Sequence, residues 1–146
     1  MQTAHAHWLV KSEPDAFSWD QPVANRVEPW TGVRNHMARN NLRAMQRGDL
    51  AFFYHSNVGK EIVGVVRVAR EAYPDPTADG GDWVCVDMEA VGPMPRPVTL
   101  VAIKATPALA DLALVRQSRL SVMPVSARHW KLLCRMGGCK ADEWAR

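Results

Sequence analysis

The sequence has few of the features that mark secreted, membrane-spanning or metal-holding proteins. Its three cysteines, Cys85, Cys134 and Cys139, are odd in number and lack a paired spacing, which argues against a disulfide framework or a zinc knuckle. We expect reduced thiols that pack as small apolar side chains. No apolar run approaches the ~20 residues that cross a bilayer, since the longest, around Val98–Ile103, has the length of a strand.

Sequence motifs of several enzyme classes are also missing. There is no G-x-S-x-G, H-E-x-x-H, P-loop or G-x-G-x-x-G, and no pair of carboxylates stands out. His5 and His7 could chelate a metal, but they lie at the amino terminus, and chain termini are usually flexible. We therefore predict no catalytic residue, no cofactor and no metal site. The sequence starts without a secretory signal, so a cytoplasmic protein that makes no membrane contact is expected.

Length and charge indicate what kind of protein remains. The 146 residues, 47% of them hydrophobic, predict one globular domain over residues 1–146. The net charge of +3 is unevenly distributed along the chain. Residues 1–70 hold nine basic and six acidic side chains, residues 71–103 hold one and six, and residues 104–146 hold eight and three. Two basic ends around an acidic middle are compatible with a basic face for a polyanion.

Short β-branched and aromatic runs alternate with turn residues and predict about six strands with helices at the start, middle and end. The predicted strands are His7–Lys11, Asp49–His55, Glu61–Glu71, Trp83–Val91, Val98–Lys104 and Arg119–Val122. The predicted helices are a very short one with a capping box at Ser18 and Gln21, then Asn35–Gln46, Pro107–Leu112 and Ala127–Met136. Proline and glycine predict loops at Ala72–Asp82 and Gly92–Pro97. This order favours an α+β fold, a mixed and partly closed β-barrel with peripheral helices, over a doubly wound sheet.

A row of arginines marks one face of the predicted Asn35–Gln46 helix. Arg39, Arg43 and Arg47 stand four residues apart, and Arg34 comes just before the helix. Like charges at this spacing repel by about 0.2–0.5 kcal/mol per pair, and no acid on the helix offsets them. The pattern fits a face that contacts phosphates. A solvated face, or arginines paired with acids from elsewhere in the chain, is the alternative.

Aromatic side chains stand next to polar ones at two places. Trp30 and Gly32 lie just ahead of the arginine-bearing helix, where the indole is either ordinary core or a wall for a planar ligand. Stacking of a base on such a wall contributes roughly 1–3 kcal/mol. An aromatic strand ends in His55, Ser56 and Asn57, whose donors and acceptors suit a base edge, although the same residues suit a turn.

Together these clusters resemble the EVE domain family. The matching segments run in order along most of the chain: Trp8–Pro14, Trp30–Asn35 with Ala38–Arg43, Gly48–Asn57, Ile62–Val68 with Ala72–Thr77, and Ser118–Val125. The resemblance implies a PUA-like fold, related to YTH and ASCH domains, with a barrel around a concave pocket. It further implies recognition of modified bases, chiefly methylated or hydroxymethylated cytosine in DNA, with RNA as the other nucleic-acid partner. The base would be flipped from its stack and read without being altered.

The resemblance also implies roles for individual residues. The expected base pocket comprises Lys11, Ser12, Trp30, Val33, Asn35, His55, Ser56, Asn57, Ser121 and Pro124. The expected contacts to the nucleic-acid backbone are Arg34, Arg39, Arg43 and Arg119. The segment Ala78–Asp82 is a short loop, so contacts made by longer insertions elsewhere in the family are missing from this chain.

The sequence leaves three alternative functions open, and each predicts a different structure for the site. The first is a non-catalytic reader of a modified base. The second is an enzyme acting on nucleic acid or a nucleotide, with His55 as acid or base and Ser12 or Ser56 assisting. The third is a binder of a small planar metabolite, which predicts a closed pocket, whereas arginines at the pocket mouth favour nucleic acid. Oligomeric state is not indicated.

Overall fold

The computed structural model describes residues 6–12, 19, 26–56, 59–142 and 144. Six strands lie in these ranges: β1 (His7–Ser12), β2 (Val27–Pro29), β3 (Leu50–His55), β4 (Glu61–Pro74), β5 (Val84–Thr99) and β6 (Val122–Val125). The helices are α1 (His36–Ala44), α2 (Leu100–Lys104), α3 (Ala113–Arg116) and α4 (Ala127–Met136), with a 3₁₀ turn at Pro107–Leu109. The predicted capping box at Ser18 and Gln21 lies outside the described residues.

The strands form one mixed sheet in the order β2-β5-β4-β3-β1-β6. β1 pairs with β3 in parallel, and the other neighbouring strands are antiparallel. Within the described ranges the sheet is not closed by hydrogen bonds, and β2 and β6 form its two edges. The α+β class expected from the sequence is confirmed. The crossover between β1 and β3 contains β2 and α1, which brings the start of α1 near the far end of β1.

The core lies on both faces of β3, because alternate side chains point to opposite faces of a strand. Phe52 stacks on Trp130 of α4, with ring centroids 3.9 Å apart. Phe53 instead meets Trp30 and His55 edge-on, at 5.4 and 5.5 Å. His55 therefore lies on the same face of β3 as Trp30.

Helices α1 and α4 begin where the sequence signals indicate. The Asn35 side chain accepts a hydrogen bond from the N–H of Ala38, and the Ser126 side chain accepts one from the N–H of His129. Such caps stabilise a helix by about 1 kcal/mol each. The prediction of α4 at Ala127–Met136 is confirmed at both ends, with Gly137 following the last turn.

A buried carboxylate fixes the start of β1. The side chain of Asp49 accepts hydrogen bonds from the N–H groups of Ala6 and Gln46 and from the indole N–H of Trp8, at 2.9–3.1 Å. Charge-assisted bonds of this kind are stronger than bonds between neutral groups. They hold β1 in its register, so that its other end, at Lys11 and Ser12, has a defined position.

Several predicted boundaries around β5 and β6 are wrong. The expected Gly92–Pro97 loop is part of β5, and the expected strand Val98–Lys104 ends at Thr99, whose hydroxyl caps α2. Prolines at every second position in this stretch remove N–H groups from one edge of the strand only, which an irregularly paired strand tolerates. The expected strand Arg119–Val122 is instead Val122–Val125, in register with β1.

Two further segments differ from the prediction. The expected helix Pro107–Leu112 is a single 3₁₀ turn at Pro107–Leu109, and a separate short helix, α3, follows it. Strand β2 was not predicted, because its three residues include a glutamate and a proline and form no β-branched run.

None of the helices in the described ranges combines the length and apolarity that a bilayer crossing requires.

Candidate functional site

A cavity of about 630 Å³ lies at the far end of β1. Its lining residues are Lys11, Ser12, Pro29, Trp30, Thr31, Gly32, Val33, Arg34, Asn35 and Ser121. They come from the end of β1, from the connection between β2 and α1, and from the residue just before β6. The volume falls within the roughly 300–1,000 Å³ that small-ligand pockets occupy.

The aromatic wall of the cavity is Trp30. Its backbone N–H donates to the carbonyl of Val86 at 2.7 Å, and its ring meets Phe53 edge-on at an interplanar angle of 87°. The residue is 5% exposed, so most of the indole is packed in the core while part of it faces the cavity. Trp30 is therefore both a core residue and a wall of the cavity.

The connection from Trp30 to Asn35 is fixed by one buried carboxylate, Asp75. Its Oδ2 accepts the N–H of Gly32 at 2.9 Å and the guanidinium of Arg34 at 3.1 Å. Its Oδ1 accepts the N–H and the hydroxyl of Thr77, both at 2.7 Å. Burial on its own raises the pKa of the Asp75 carboxyl, but these four hydrogen bonds outweigh burial and lower it to about 2. The carboxylate is therefore charged at neutral pH and holds the cavity wall in place.

Gly32 lies at the mouth of the cavity. Its φ of +83° is a conformation that favours glycine, and a Cβ at this position would meet no atom within 4 Å. Gly32, Arg34 and Asn35 are exposed, so the cavity opens to the surface at this loop.

Lys11 and Asn35 bring polar hydrogens to the cavity. The ammonium of Lys11 donates to the carbonyl of Ser118 at 2.7 Å, which leaves further protons on the same group. Burial lowers the pKa of Lys11 below its ordinary 10.5. The Asn35 carbonyl oxygen caps α1, so its amide N–H₂ is the group left for a ligand. The first turn of α1 contains no acid, so the partial positive charge of the helix start is unopposed there.

The arginines predicted to contact phosphates are mostly engaged within the protein. Arg34 pairs with Asp75, and its side chain is 39% exposed at the edge of the cavity. Arg39 and Arg43 both reach Asp82 of the β4–β5 loop, at 2.6 and 3.2 Å. The alternative considered from the sequence, that acids elsewhere in the chain neutralise this face, is therefore present for these two residues. Asp82 itself is exposed, so the pairing is accessible to competition by another anion.

Arg119 lies in a neighbouring groove of about 320 Å³ that shares Asn35 with the cavity. The other residues along this groove are Met37, Gln117, Ser118 and Leu120. The hydrogen bond from Lys11 to Ser118 joins the two depressions. The predicted pocket and the predicted Arg119 contact are thus adjacent in the structure.

The structure brings together six of the ten predicted pocket residues. Those that line the cavity are Lys11, Ser12, Trp30, Val33, Asn35 and Ser121. Pro124 does not line it, because Pro124 lies opposite Trp8 in the β1–β6 pairing, about 10 Å along the strand from the cavity end. His55 and Ser56 are also absent from the lining, and Asn57 lies outside the described residues.

His55 has a local structural contact. Its Nε2 accepts a hydrogen bond from the backbone N–H of Trp19 at 3.0 Å, and its ring packs edge-on against Phe53. The β1–β3 register sets Ser12 opposite His55, and the N–H of Ser56 donates to the carbonyl of Ser12 at 2.8 Å. The serines and the histidine are therefore neighbours, but the Nε2 lone pair already serves a backbone amide and is not available there as a base.

Metal-ligating side chains do not converge in the part of the chain that the structure describes: no group of three or more His, Cys, Asp or Glu is placed to hold an ion.

Sequence reasoning missed the residue that organises the cavity wall, Asp75. The Asp-Pro-Thr sequence at Asp75–Thr77 is typical of a turn whose side chain binds its own backbone, which is a signal that could have found it.

The chain is similar to known proteins in sequence and in fold. A family model described as the EVE domain matches residues 6–136. Thymocyte nuclear protein 1 from Homo sapiens is 34% identical over 160 residues, covering 86% of this chain and 71% of that protein. The Gallus gallus protein of the same name is 35% identical, covering 84% of this chain and 64% of that protein. The chain thus spans about two thirds of the length of these relatives.

Solved structures agree with the family match. The NMR structure of Rpa0253 from Rhodopseudomonas palustris is 61% identical, with a TM-score of 0.86 over 91% of this chain and 93% of that one. The human THYN1 protein, crystallised with 5-methylcytosine-containing DNA, is 31% identical, with a TM-score of 0.85 over 92% and 99%. A YTH domain of Zygosaccharomyces rouxii, at 16% identity and a TM-score of 0.59, shares the fold alone. These likenesses confirm the expected PUA-like architecture, and the chain belongs to the EVE domain family.

Proposed function

We propose that this protein is a non-catalytic module that binds nucleic acid and reads a flipped-out modified base, methylated or hydroxymethylated cytosine in DNA, in the cavity at the end of β1. The observation that carries the proposal is the composition of that cavity. One wall is the indole of Trp30, and the polar hydrogens of Lys11 and Asn35 border the same space.

The chemistry of these groups matches a pyrimidine. An indole face stacks on any planar base, and lysine and amide protons suit the O2 and N3 acceptors of cytosine. A 5-methyl group adds about 0.8 kcal/mol when buried, which corresponds to about fourfold in affinity. Larger discrimination needs the polar hydrogens to hold the base in one orientation, so that the methyl group always meets the same part of the wall.

The position of the cavity favours a polymer over a free metabolite as its ligand. The cavity opens beside the exposed Arg34 and next to the groove that holds Arg119. Guanidinium groups at a pocket mouth are suited to phosphate oxygens. A small planar metabolite needs no such continuation of the site. The binding of 5-methylcytosine DNA by the human relative supports DNA as the partner.

The absence of catalysis is part of the proposal. His55, the one candidate acid or base, does not line the cavity and uses its Nε2 to accept a backbone hydrogen bond. Among the residues that the structure describes, the cavity lining includes Ser12 and Ser121 but no carboxylate that would form an activated nucleophile with them. A reader needs only the wall and the donors, and both are present.

The test is a fluorescence-anisotropy titration with short single- and double-stranded DNA that carries cytosine, 5-methylcytosine or 5-hydroxymethylcytosine at one position, with matched RNA in parallel. We expect tighter binding of one modified DNA, by about fourfold or more. Equal and salt-sensitive binding of every strand would contradict base reading and leave a generic basic surface. Tighter binding of the modified RNA would support base reading but indicate RNA as the partner.

Asn35→Ser is the sharpest variant, because serine also caps helices and so removes the amide hydrogens while keeping α1 intact. We expect it to lose about three- to tenfold in affinity for the preferred oligonucleotide, the value of one hydrogen bond. Ser126→Asn is the matched control, since it exchanges the same two residue types at the cap of α4, away from the cavity. Equal affinities for both variants and the parent protein would remove Asn35 from the site.

A further inference from the structure

The groove beside the base cavity extends the site beyond the single base that the proposed function places in the cavity. It lies between the first turn of α1 and residues 117–120, and it measures about 320 Å³. Asn35 belongs to both depressions, and Lys11 of the cavity is hydrogen-bonded to Ser118 of the groove. A chain that leaves the cavity past Asn35 therefore enters this groove directly.

One side of the groove carries an unusual apolar side chain. Met37 is 52% exposed, and in the part of the chain that the structure describes only Val27 and Val101 are other large apolar residues on the surface. Exposed apolar groups near a polar site indicate a partner that covers them. The soft sulfur of methionine makes favourable contacts with aromatic rings, and a nucleobase offers such a ring.

The other side of the groove carries a cation, Arg119, that pairs with no carboxylate of the described residues. Arg119 is exposed and makes no hydrogen bond or ion pair with any residue in the described ranges. Arg34 and Arg39, by contrast, are each paired with an aspartate. A guanidinium without a partner retains its full capacity for a phosphate, whose oxygens match its fork of donors.

Resting on the base-reading function, we propose that this groove binds the nucleotide next to the flipped base, with its base against Met37 and its phosphate at Arg119. The groove continues the cavity, and it combines an apolar side chain with a cation. Both features fit a single nucleotide unit. The subsite requires a neighbouring base but reads its identity weakly, because stacking is open to every base. A single modified nucleotide lacks this contact and binds more weakly than an oligonucleotide.

The experiment uses the full chain and single-stranded DNA with one 5-methylcytosine, either intact or with an abasic position on its 5′ or its 3′ side. For the parent protein we expect an abasic position on one of the two sides to lower affinity by about two- to tenfold. Met37→Ala lowers affinity for the intact strand by a similar factor, and the abasic strand then shows no further loss. Val101→Ala, another exposed apolar residue, serves as the control and leaves binding unchanged.

Arg119→Ala provides an independent readout. Losing one phosphate contact on a single strand reduces the slope of log affinity against log salt by about 0.7, whereas Arg128→Ala on α4 leaves the slope unchanged. The subsite is overturned if Met37→Ala and Arg119→Ala bind every strand as the parent protein does. If the parent still prefers 5-methylcytosine, the base-reading function survives that result. If the parent shows no such preference, both proposals fail.

Discussion

Replacing Asp75 with asparagine tests whether one buried carboxylate holds the cavity wall. The carboxylate accepts four hydrogen bonds, two on each oxygen, from Gly32, Arg34 and Thr77. An asparagine offers one carbonyl oxygen and turns an N–H₂ group toward the other two donors. Whichever way the amide is oriented, two of the four part-buried hydrogen bonds are lost.

The cost follows from those two hydrogen bonds. An intramolecular hydrogen bond contributes about 0.5–1.5 kcal/mol net, so losing two of them lowers the free energy of unfolding by about 1–3 kcal/mol. For a chain of this size each kcal/mol corresponds to about 2–4 °C in Tm, so we expect a decrease of roughly 2–12 °C. Affinity for modified DNA also falls, because the connection between Trp30 and Asn35 is no longer fixed.

Thermal unfolding followed by circular dichroism measures this effect. Asp82→Asn is the matched control, because Asp82 lies in the same β4–β5 loop and also pairs with arginines but is exposed. Exposed ion pairs contribute little to stability, so its Tm should match that of the parent protein. Equal Tm values for Asp75→Asn and Asp82→Asn would refute the role of Asp75.

The same carboxylate predicts a pH dependence. Its pKa is about 2 in the folded protein and near the ordinary 3.8 when unfolded, so the folded state favours the charged form. This contribution is therefore complete above about pH 4 and is lost as the pH falls toward 2. Urea unfolding across this range should show the loss in the parent protein, and Asp75→Asn should lack that part of the dependence.

Three further predictions concern neighbouring residues. Gly32→Ala forces a side chain into a φ of +83° with free space around it, so backbone strain alone should lower stability by about 1–2 kcal/mol in urea unfolding, and an unchanged midpoint would contradict that conformation. Asp82→Ala should free Arg39 and Arg43 and raise affinity for any DNA at low salt, which unchanged anisotropy titrations would refute. Because burial lowers the pKa of Lys11, affinity should decline at alkaline pH below 10.5, whereas Lys11→Arg should bind evenly across that range.

The fold could be predicted where local patterns decide it. Strand β3 ends at His55 as predicted, and α4 covers the predicted Ala127–Met136, because strand and cap signals are encoded within a few residues. The run Val98–Lys104 was misassigned because β-branched residues suit a strand, whereas the hydroxyl of Thr99 caps a helix in the folded chain. Tertiary contacts decide such short segments.

The candidate site was predictable in its chain segments more than in its contacts. Lys11, Trp30 and Asn35 do meet at one cavity, although β1 and α1 are separate in sequence. Pro124 does not join them, because the β1–β6 register, which no local pattern specifies, sets it beside Trp8. The pairing of Arg39 with Asp82 likewise joins residues more than forty positions apart, so the sequence left it only as an alternative.

The most direct test of base reading is an NMR titration of ¹⁵N-labelled protein with single-stranded DNA that carries one cytosine or one 5-methylcytosine. We predict that the side-chain amide signal of Asn35, the indole N–H of Trp30 and the backbone N–H of Ser121 shift together, and more with the methylated strand. All three border the same cavity and are reported by separate signals. Shifts confined to other surfaces, or identical for the two strands, would contradict the account.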